Sequence, residues 1–270
     1  MSDLSQISET MLGPLWARAT YSKEFPDLLK DEKAIEIIEK LDYDFSAMAE
    51  ALGEWRAIGL MIRARKFDDA AKAYIEKYPS ATIVNIGAGL DTTFSRIDNG
   101  TIQMYNLDVP EVIQYRKKLI PEMDRNHNLS ESVFNYTWMD KIEFSKENGI
   151  FFIAGGFIYY FNEEKIAELM KTLATHFPGG EIIFDAVSNL AKKVVNKKAE
   201  KFDSELRFEF AINDPHEIIP KWSEKIDIKD NFVLGKRTSI NKKWKLKTKI
   251  MNKFTQWIKT ARVIHLKFKD

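Results

Sequence analysis

Residues 81–96 read Ala-Thr-Ile-Val-Asn-Ile-Gly-Ala-Gly-Leu-Asp-Thr-Thr-Phe-Ser-Arg, a short apolar run that breaks at two glycines one residue apart. Thr82, Ile83, Val84 and Ile86 are β-branched and bounded by Pro79-Ser80 and Gly87. The run is too short for a helix and suits a strand buried on both faces. Gly87 and Gly89 let the backbone turn sharply and approach a ligand where a Cβ would collide, with N–H groups left facing the ligand. Asp91-Thr92-Thr93 then supplies helix-start residues. Thr92 stands where a dinucleotide fingerprint has its third glycine, which counts against a pyrophosphate. Taken alone, the glycine pair also fits an ordinary tight turn from strand to helix.

Downstream, Ile102 to Leu107 reads as a second strand ending at Asp108 and stopped by Val109-Pro110. An acid about twenty residues past a glycine loop, at the tip of the neighbouring strand, can accept both hydroxyls of a ribose. It can equally cap the helix that starts at Glu111. Loop and acid together point to an adenosine-type cofactor. From here strand and helix alternate, which implies parallel pairing. A helix runs from Glu111 to about Leu119, and Ser132–Phe134 reads as a short third strand before a loop at Tyr136–Asp140. The all-apolar Ile150–Ala154 is the fourth strand, ending in Gly155-Gly156. Asn162 caps a helix whose Ile166, Leu169, Met170 and Leu173 share a face, and Glu181–Ala186 is the fifth strand, with Asp185 near its end. Helix to about Phe210, a turn at Asn213-Asp214-Pro215, and strands at Ile226–Ile228 and Ala261–Phe268 complete the pattern.

Upstream of the glycine loop, residues to about Tyr78 read as wholly helical, with Ala34, Ile37 and Ile38 on one apolar face and Ala57, Ile58 and Met61 on another. By architectural analogy such a leading segment lies over the strand C-termini. Arg18, Arg56, Arg63 and Arg65 stand among these apolar residues, where solvation or pairing with Asp68 or Asp69 is an alternative to any ligand role.

The chain of 270 residues is 44% hydrophobic and 12% aromatic, enough for one elaborated α/β domain and too apolar for disorder. A formal net charge of +1 argues against a dedicated nucleic-acid binder. There are no cysteines, which removes disulfides, thiolate metal sites and cysteine nucleophiles. No apolar segment is long enough to span a bilayer, and Met-Ser-Asp-Leu-Ser-Gln lacks the charge and apolar core of a signal peptide, so a cytoplasmic protein without a membrane partner is expected. Between Gly235 and Lys259 lysines interleave with Trp244, Phe254 and Trp257, a pattern that can mean nucleic acid. Leu246, Ile250, Phe254, Trp257 and Ile258 keep helical spacing, however, so the lysines read more simply as the wet face of an amphipathic helix.

The four histidines show no metal-ligand spacing, and neither a phosphate loop of the G-x-x-x-x-G-K-[ST] type nor a G-x-S-x-G elbow is present. No metal is expected. A bound adenosine cofactor with no visible nucleophile suits group transfer by positioning. A nicotinamide oxidoreductase shares the loop and strand-end acid, and a non-catalytic cofactor binder or RNA-binding protein using the lysine-rich helix is a third reading.

Several ordered motifs narrow these readings. Gly87-Ala-Gly-Leu-Asp-Thr92, Leu107-Asp-Val-Pro-Glu-Val-Ile113, Trp138-Met-Asp140, Ala154-Gly-Gly-Phe-Ile-Tyr-Tyr-Phe161 and Phe177-Pro-Gly-Gly-Glu181 together resemble the leucine carboxyl methyltransferase family. Within it they are similar to small-molecule O-methyltransferases of the tetracenomycin polyketide type. The resemblance implies S-adenosylmethionine as cofactor on a Rossmann-like class I methyltransferase fold. That fold has a mostly parallel seven-stranded sheet with helices on both faces and a helical N-terminal cap. The corresponding division is a cap over 1–78 and a catalytic unit over 79–270, forming one continuous structure.

By the same resemblance Arg63 holds the methionine carboxylate, a task suited to a guanidinium fork. Gly87, with Gly89 and Asp91, forms the cofactor loop, and Asp108 is the ribose acid. Ser132, Val133 and Asn135 flank the adenine, Gly155 lies beneath the methionine part, and Arg18 is a basic residue near the cofactor. Asn135 stands where the family pattern has an aspartate. Gly155 replaces the glutamate of phosphatase-directed members, which points away from a leucine-carboxylate substrate and toward a small-molecule hydroxyl or carboxyl acceptor. A carboxylate needs no base, whereas a hydroxyl benefits from one, for which Asp185, Tyr159, Tyr160 and His216 are candidates.

Overall fold

The computed structural model describes residues 9–201 and 207–270. Seven strands form one sheet: β1 (Thr82–Ile86), β2 (Gln103–Asp108), β3 (Asn126–Ser130), β4 (Ile150–Ala154), β5 (Glu181–Val187), β6 (Ile226–Val233) and β7 (Ala261–Phe268). Their order is β3-β2-β1-β4-β5-β7-β6. The first five pair in parallel, and β7 lies antiparallel between β5 and β6. Because β1 pairs with β2 on one side and β4 on the other, the direction of winding reverses between them, and a crevice opens beyond their carboxyl ends.

Successive residues of the central strands serve opposite faces. Ile83, Phe151 and Ile183 pack under α3 (Ser46–Lys77) and α4 (Thr93–Ile97), while Val84, Phe152 and Ile182 pack under α6 (Glu163–His176) and α8 (Pro215–Trp222). The remaining helices are α1 (Glu9–Glu24), α2 (Glu32–Lys40), α5 (Pro110–Leu119), α7 (Asn189–Lys201) and α9 (Leu246–Trp257). The N-terminal helices α1 and α2 bury Leu12, Leu15, Ala34 and Ile37 against Leu90 of the glycine loop and Ile120 at the end of α5. Helix α3 is broken at Gly53, whose φ of 58° and ψ of 171° lie outside the helical range, so its first turns depart from the axis of the rest.

Four expectations are corrected. The third strand is Asn126–Ser130, not Ser132–Phe134. It is an edge strand of sequence Asn-His-Asn-Leu-Ser, held by the Asn106 Nδ2 bond to Asn126 Oδ1 (2.8 Å) instead of by an apolar run. Tyr136–Lys141 is a 3-10 helix anchored by the buried Trp138, not a loop. The helix after β5 is described as far as Lys201, and its expected continuation over 202–206 lies outside the described residues. Beyond it the chain is extended, with Glu209 N donating to Tyr159 O (2.8 Å), and Asp214 caps the unexpected helix α8. Finally, α9 has its expected span but not its expected orientation. Leu246, Ile250, Phe254 and Trp257 face solvent, while Thr248 and Asn252 are buried, with Asn252 and Gln256 lying close over Gly235; the apolar anchor is Trp244, packed in the core of the cap.

Candidate functional site

The crevice at the carboxyl ends of β1, β2 and β4 is built on the glycine loop. Gly87 and Gly89 have φ of +65° and +46°, which only glycine adopts without strain. The N–H groups of Gly87 and Ala88 donate to Leu107 O, folding the loop against β2. Asp108 clamps it: Oδ2 accepts from Gly89 N (2.9 Å) and Oδ1 from Val109 N (2.8 Å). Burial raises the pKa of its carboxyl above the ordinary aspartate value, against these two amides and the Arg116 charge. Asp108 therefore does not cap α5, whose N-cap is Val109.

Arg116, fully buried, holds the loop from below. Its Nη1 donates to Gly89 O (3.0 Å) and Asp91 O (2.7 Å), and its Nη2 donates to Asn106 Oδ1 (3.0 Å). Burial lowers its pKa to about 10, against Asp91 and Asp108. Asp91 itself accepts from Thr93 N at the start of α4. Burial works to raise its pKa, but Arg18 and Arg96 outweigh it and hold the carboxyl at about 2.

Gly87, Gly89, Asp91 and Asp108 line a cavity of about 530 Å³ that also receives Arg18, Arg63, Gly155, Tyr159 and Tyr160, with Leu52, Leu60 and Phe161 as apolar walls. Arg63, from α3, donates through Nη1 to Asp185 Oδ2 (3.1 Å), and the other oxygen of Asp185 accepts from Gly156 N (2.6 Å). Both oxygens of Asp185 are thus engaged. Burial alone would lower the pKa of Arg63, but Asp185 and Tyr159 raise it, so the guanidinium stays charged. Burial pushes the Tyr159 phenol well above its ordinary value and raises that of Tyr160 as well, so neither is a base at neutral pH. Asn85, on β1 and lining the same cavity, leaves its buried Nδ2 without a partner, a donor suited to a ligand acceptor.

Not every predicted residue reaches this cavity. Ser132 and Asn135 are exposed in the turn after β3, bonded locally to Phe134 N and Thr137 Oγ1, with Val133 buried between them. His216 is exposed at the start of α8, and its ring meets Asn231 on the edge strand β6 (3.1 Å). Arg18 reaches the cavity, but its Nε and Nη2 already serve Asp31 (2.8 Å) and Leu90 O (3.1 Å).

Behind the loop lies a buried network that sequence reading missed. Asp31, fully buried, accepts from Arg18, from Thr92 Oγ1 (2.6 Å) and from Arg96 Nη1 (2.7 Å), while Arg96 forms a two-pronged pair with Asp68 (2.7 and 3.0 Å). Burial acts to raise the Asp31 pKa, yet Arg96 and Arg18 bring it below the usual value. The network joins α1, the turn before α2, α3 and α4. A second, polar cavity of about 590 Å³ borders it and shares no residue with the glycine loop. Among the described residues no acidic or histidine cluster could hold a metal, and no helix is long and apolar enough to cross a membrane.

Comparison with known proteins gives this geometry a context. The profile of a family described as leucine carboxyl methyltransferase matches residues 12–174. The tetracenomycin polyketide synthesis O-methyltransferase of Streptomyces glaucescens is 32% identical over 185 residues, covering 68% of this chain and 67% of that protein. Two crystal structures share the fold. One is a candidate methyltransferase from Thermobifida fusca YX, with TM-score 0.58, 12% identity and 94% of each chain covered. The other is a DUF574 family protein from Streptomyces avermitilis MA-4680, with TM-score 0.58, 13% identity, and 94% of this chain and 97% of that one covered.

Proposed function

The chain belongs to the leucine carboxyl methyltransferase family, and from that premise we propose how its cavity works. The protein is an S-adenosylmethionine-dependent methyltransferase of Rossmann-like class I fold. It acts on an oxygen of a small, largely apolar molecule, and that oxygen arrives already anionic, as a carboxylate or ionised phenol. The cap over 1–78 and the unit over 79–270 work as one, in the cytoplasm.

S-adenosylmethionine, when bound, supplies a sulfonium methyl whose S–C bond breaks as the new O–C bond forms, leaving a neutral thioether and a neutral ester or ether. The chain's contribution is to bind and align. The Gly87–Gly89 turn gives close approach for the nucleoside, Asp108 accepts from the ribose hydroxyls, and Arg63 offers its charge to the methionine carboxylate. The unpartnered Asn85 Nδ2 adds a donor at the same floor. Leu52, Leu60 and Phe161 exclude water around the acceptor.

The observation that carries the acceptor's charge is Asp185. Its two oxygens are taken by Arg63 and Gly156 N, and the neighbouring tyrosines keep their protons, so alignment of a charged acceptor replaces base catalysis. Equilibrium dialysis against labelled S-adenosylmethionine and NAD tests the donor: the first binds and the second does not. Arg63→Ala and Asp108→Ala each weaken binding by roughly tenfold or more, and unchanged affinity in both overturns the assignment. Incubating the protein with methyl-labelled cofactor and a cell extract tests the acceptor. Label released as methanol in mild alkali marks a carboxylate, stable label marks a phenol, and label on an aliphatic alcohol contradicts the absence of a base.

A further inference from the structure

The outward face of α9 has no role in the site described above. Leu246, Ile250, Phe254 and Trp257 are 72%, 56%, 47% and 77% exposed. At about 100° per residue they fall within roughly 80° of one another, forming a single stripe along the helix. The stripe is not a surface left over from poor packing. The helix is anchored from its other side by the buried Thr248 and Asn252, by Trp244 in the core of the cap, and by Lys245 N donating to Glu54 Oε1 (2.8 Å). An amphipathic helix turned with its polar side to the protein presents its apolar side to something else.

Its flanks say what. Lys249 and Lys253 border the stripe on one side and Lys247 on the other. Among the described residues no carboxylate pairs with any of the three. From Gly235 to Lys259 there are nine basic residues and no acidic one, although the whole chain is at +1. The positive charge is therefore concentrated here.

Helix α7 repeats the chemistry, with exposed Leu190 and Val194 one turn apart beside exposed Lys193 and Lys197. The start of α7 and the end of α9 come together at one corner, where Ser188 N, just before α7, donates to Thr260 O, just after α9 (2.9 Å). That corner follows the carboxyl end of β5, the same end of the sheet as the cavity.

We propose that α9, with the start of α7, is the face by which the protein lies on an anionic lipid surface, the apolar stripe entering the headgroup boundary and the lysines reaching lipid phosphates. This departs from the expectation of no membrane partner, and it concerns peripheral docking only. A second copy of the chain fits less well, since pairing the faces would bring two such basic segments together. A nucleic acid fits less well because half of the stripe, Leu246 and Ile250, is aliphatic, leaving only the adjacent Phe254 and Trp257 for bases to stack on.

The test is co-sedimentation of the full chain with phosphatidylcholine vesicles, with and without phosphatidylserine, together with Trp257 fluorescence. Binding is expected to the anionic vesicles, with a blue-shifted emission, and to fall as salt rises. Trp257→Ala weakens it by roughly tenfold, and Lys247→Glu with Lys253→Glu by roughly twentyfold or more. Circular dichroism and the thermal midpoint stay unchanged, since these positions are exposed. The proposal is overturned by no association with anionic vesicles at low salt, by vesicle affinity indifferent to Trp257→Ala, or by tighter binding of a single-stranded RNA oligomer that the same variants weaken. A dimer in sedimentation velocity that Ile250→Asp abolishes overturns it in favour of self-association.

Discussion

Gly87 answers two demands at one position. Its φ is +65°, and a Cβ built on it would lie 2.5 Å from the ring of Phe157, which packs on Phe161. Gly100 has φ +90° with nothing within 4 Å of such a Cβ. Gly87→Ala is therefore expected to cost about 2–4 kcal/mol, strain and overlap together, and Gly100→Ala about 1 kcal/mol from strain alone. Chemical denaturation of the two variants measures the difference. Dialysis with labelled S-adenosylmethionine shows donor binding lost in the first and kept in the second.

Among the elements, a buried polar network ties the cap to the loop alongside the apolar contacts of α1 and α2 with Leu90. Removing a partner from a buried ion pair leaves the other charge unsatisfied, so Arg96→Met should cost about 3–5 kcal/mol. Arg65, paired with Asp69 on the surface of the same α3, should cost under about 1 kcal/mol when changed likewise. Thermal unfolding of both variants separates the cases. This network also marks where sequence reading stops. Strands β1, β2, β4, β5 and β7 were legible because their apolar runs are dictated by burial on two faces. Strand β3 was hidden because an edge strand of Asn and His carries no such run. Asp108 was legible from its distance to the loop, whereas Arg96, Asp31 and Arg116 meet their partners across stretches of chain that no local pattern spans. The face of α9 was misread for the opposite reason: its periodicity is clear, but period alone does not say which side the protein covers.

At the scale of the whole molecule, stability should follow the loop carboxylate of Asp91 into acid. Asp91 is held at about 2 when folded, below the ordinary value near 4. Its contribution, about 2 kcal/mol, is complete above about pH 4 and is lost as pH falls from about 4 to 2. The thermal midpoint should therefore drop over that window, and Asp91→Asn should flatten the drop while lowering the midpoint at neutral pH. One further consequence follows from the sheet order. Strand β7 is made after both of the strands it separates, so a chain leaving the ribosome N-terminus first must wait for residues 261–268 before β5, already paired with β4, acquires its second neighbour and β6 joins the sheet at all. During synthesis the apolar edge of β5 stays open to other chains. A protein stopped at residue 258 is accordingly expected to be recovered as aggregate, and supplying the missing strand in trans to rescue it: the last-made strand serves as the closing stitch of the sheet.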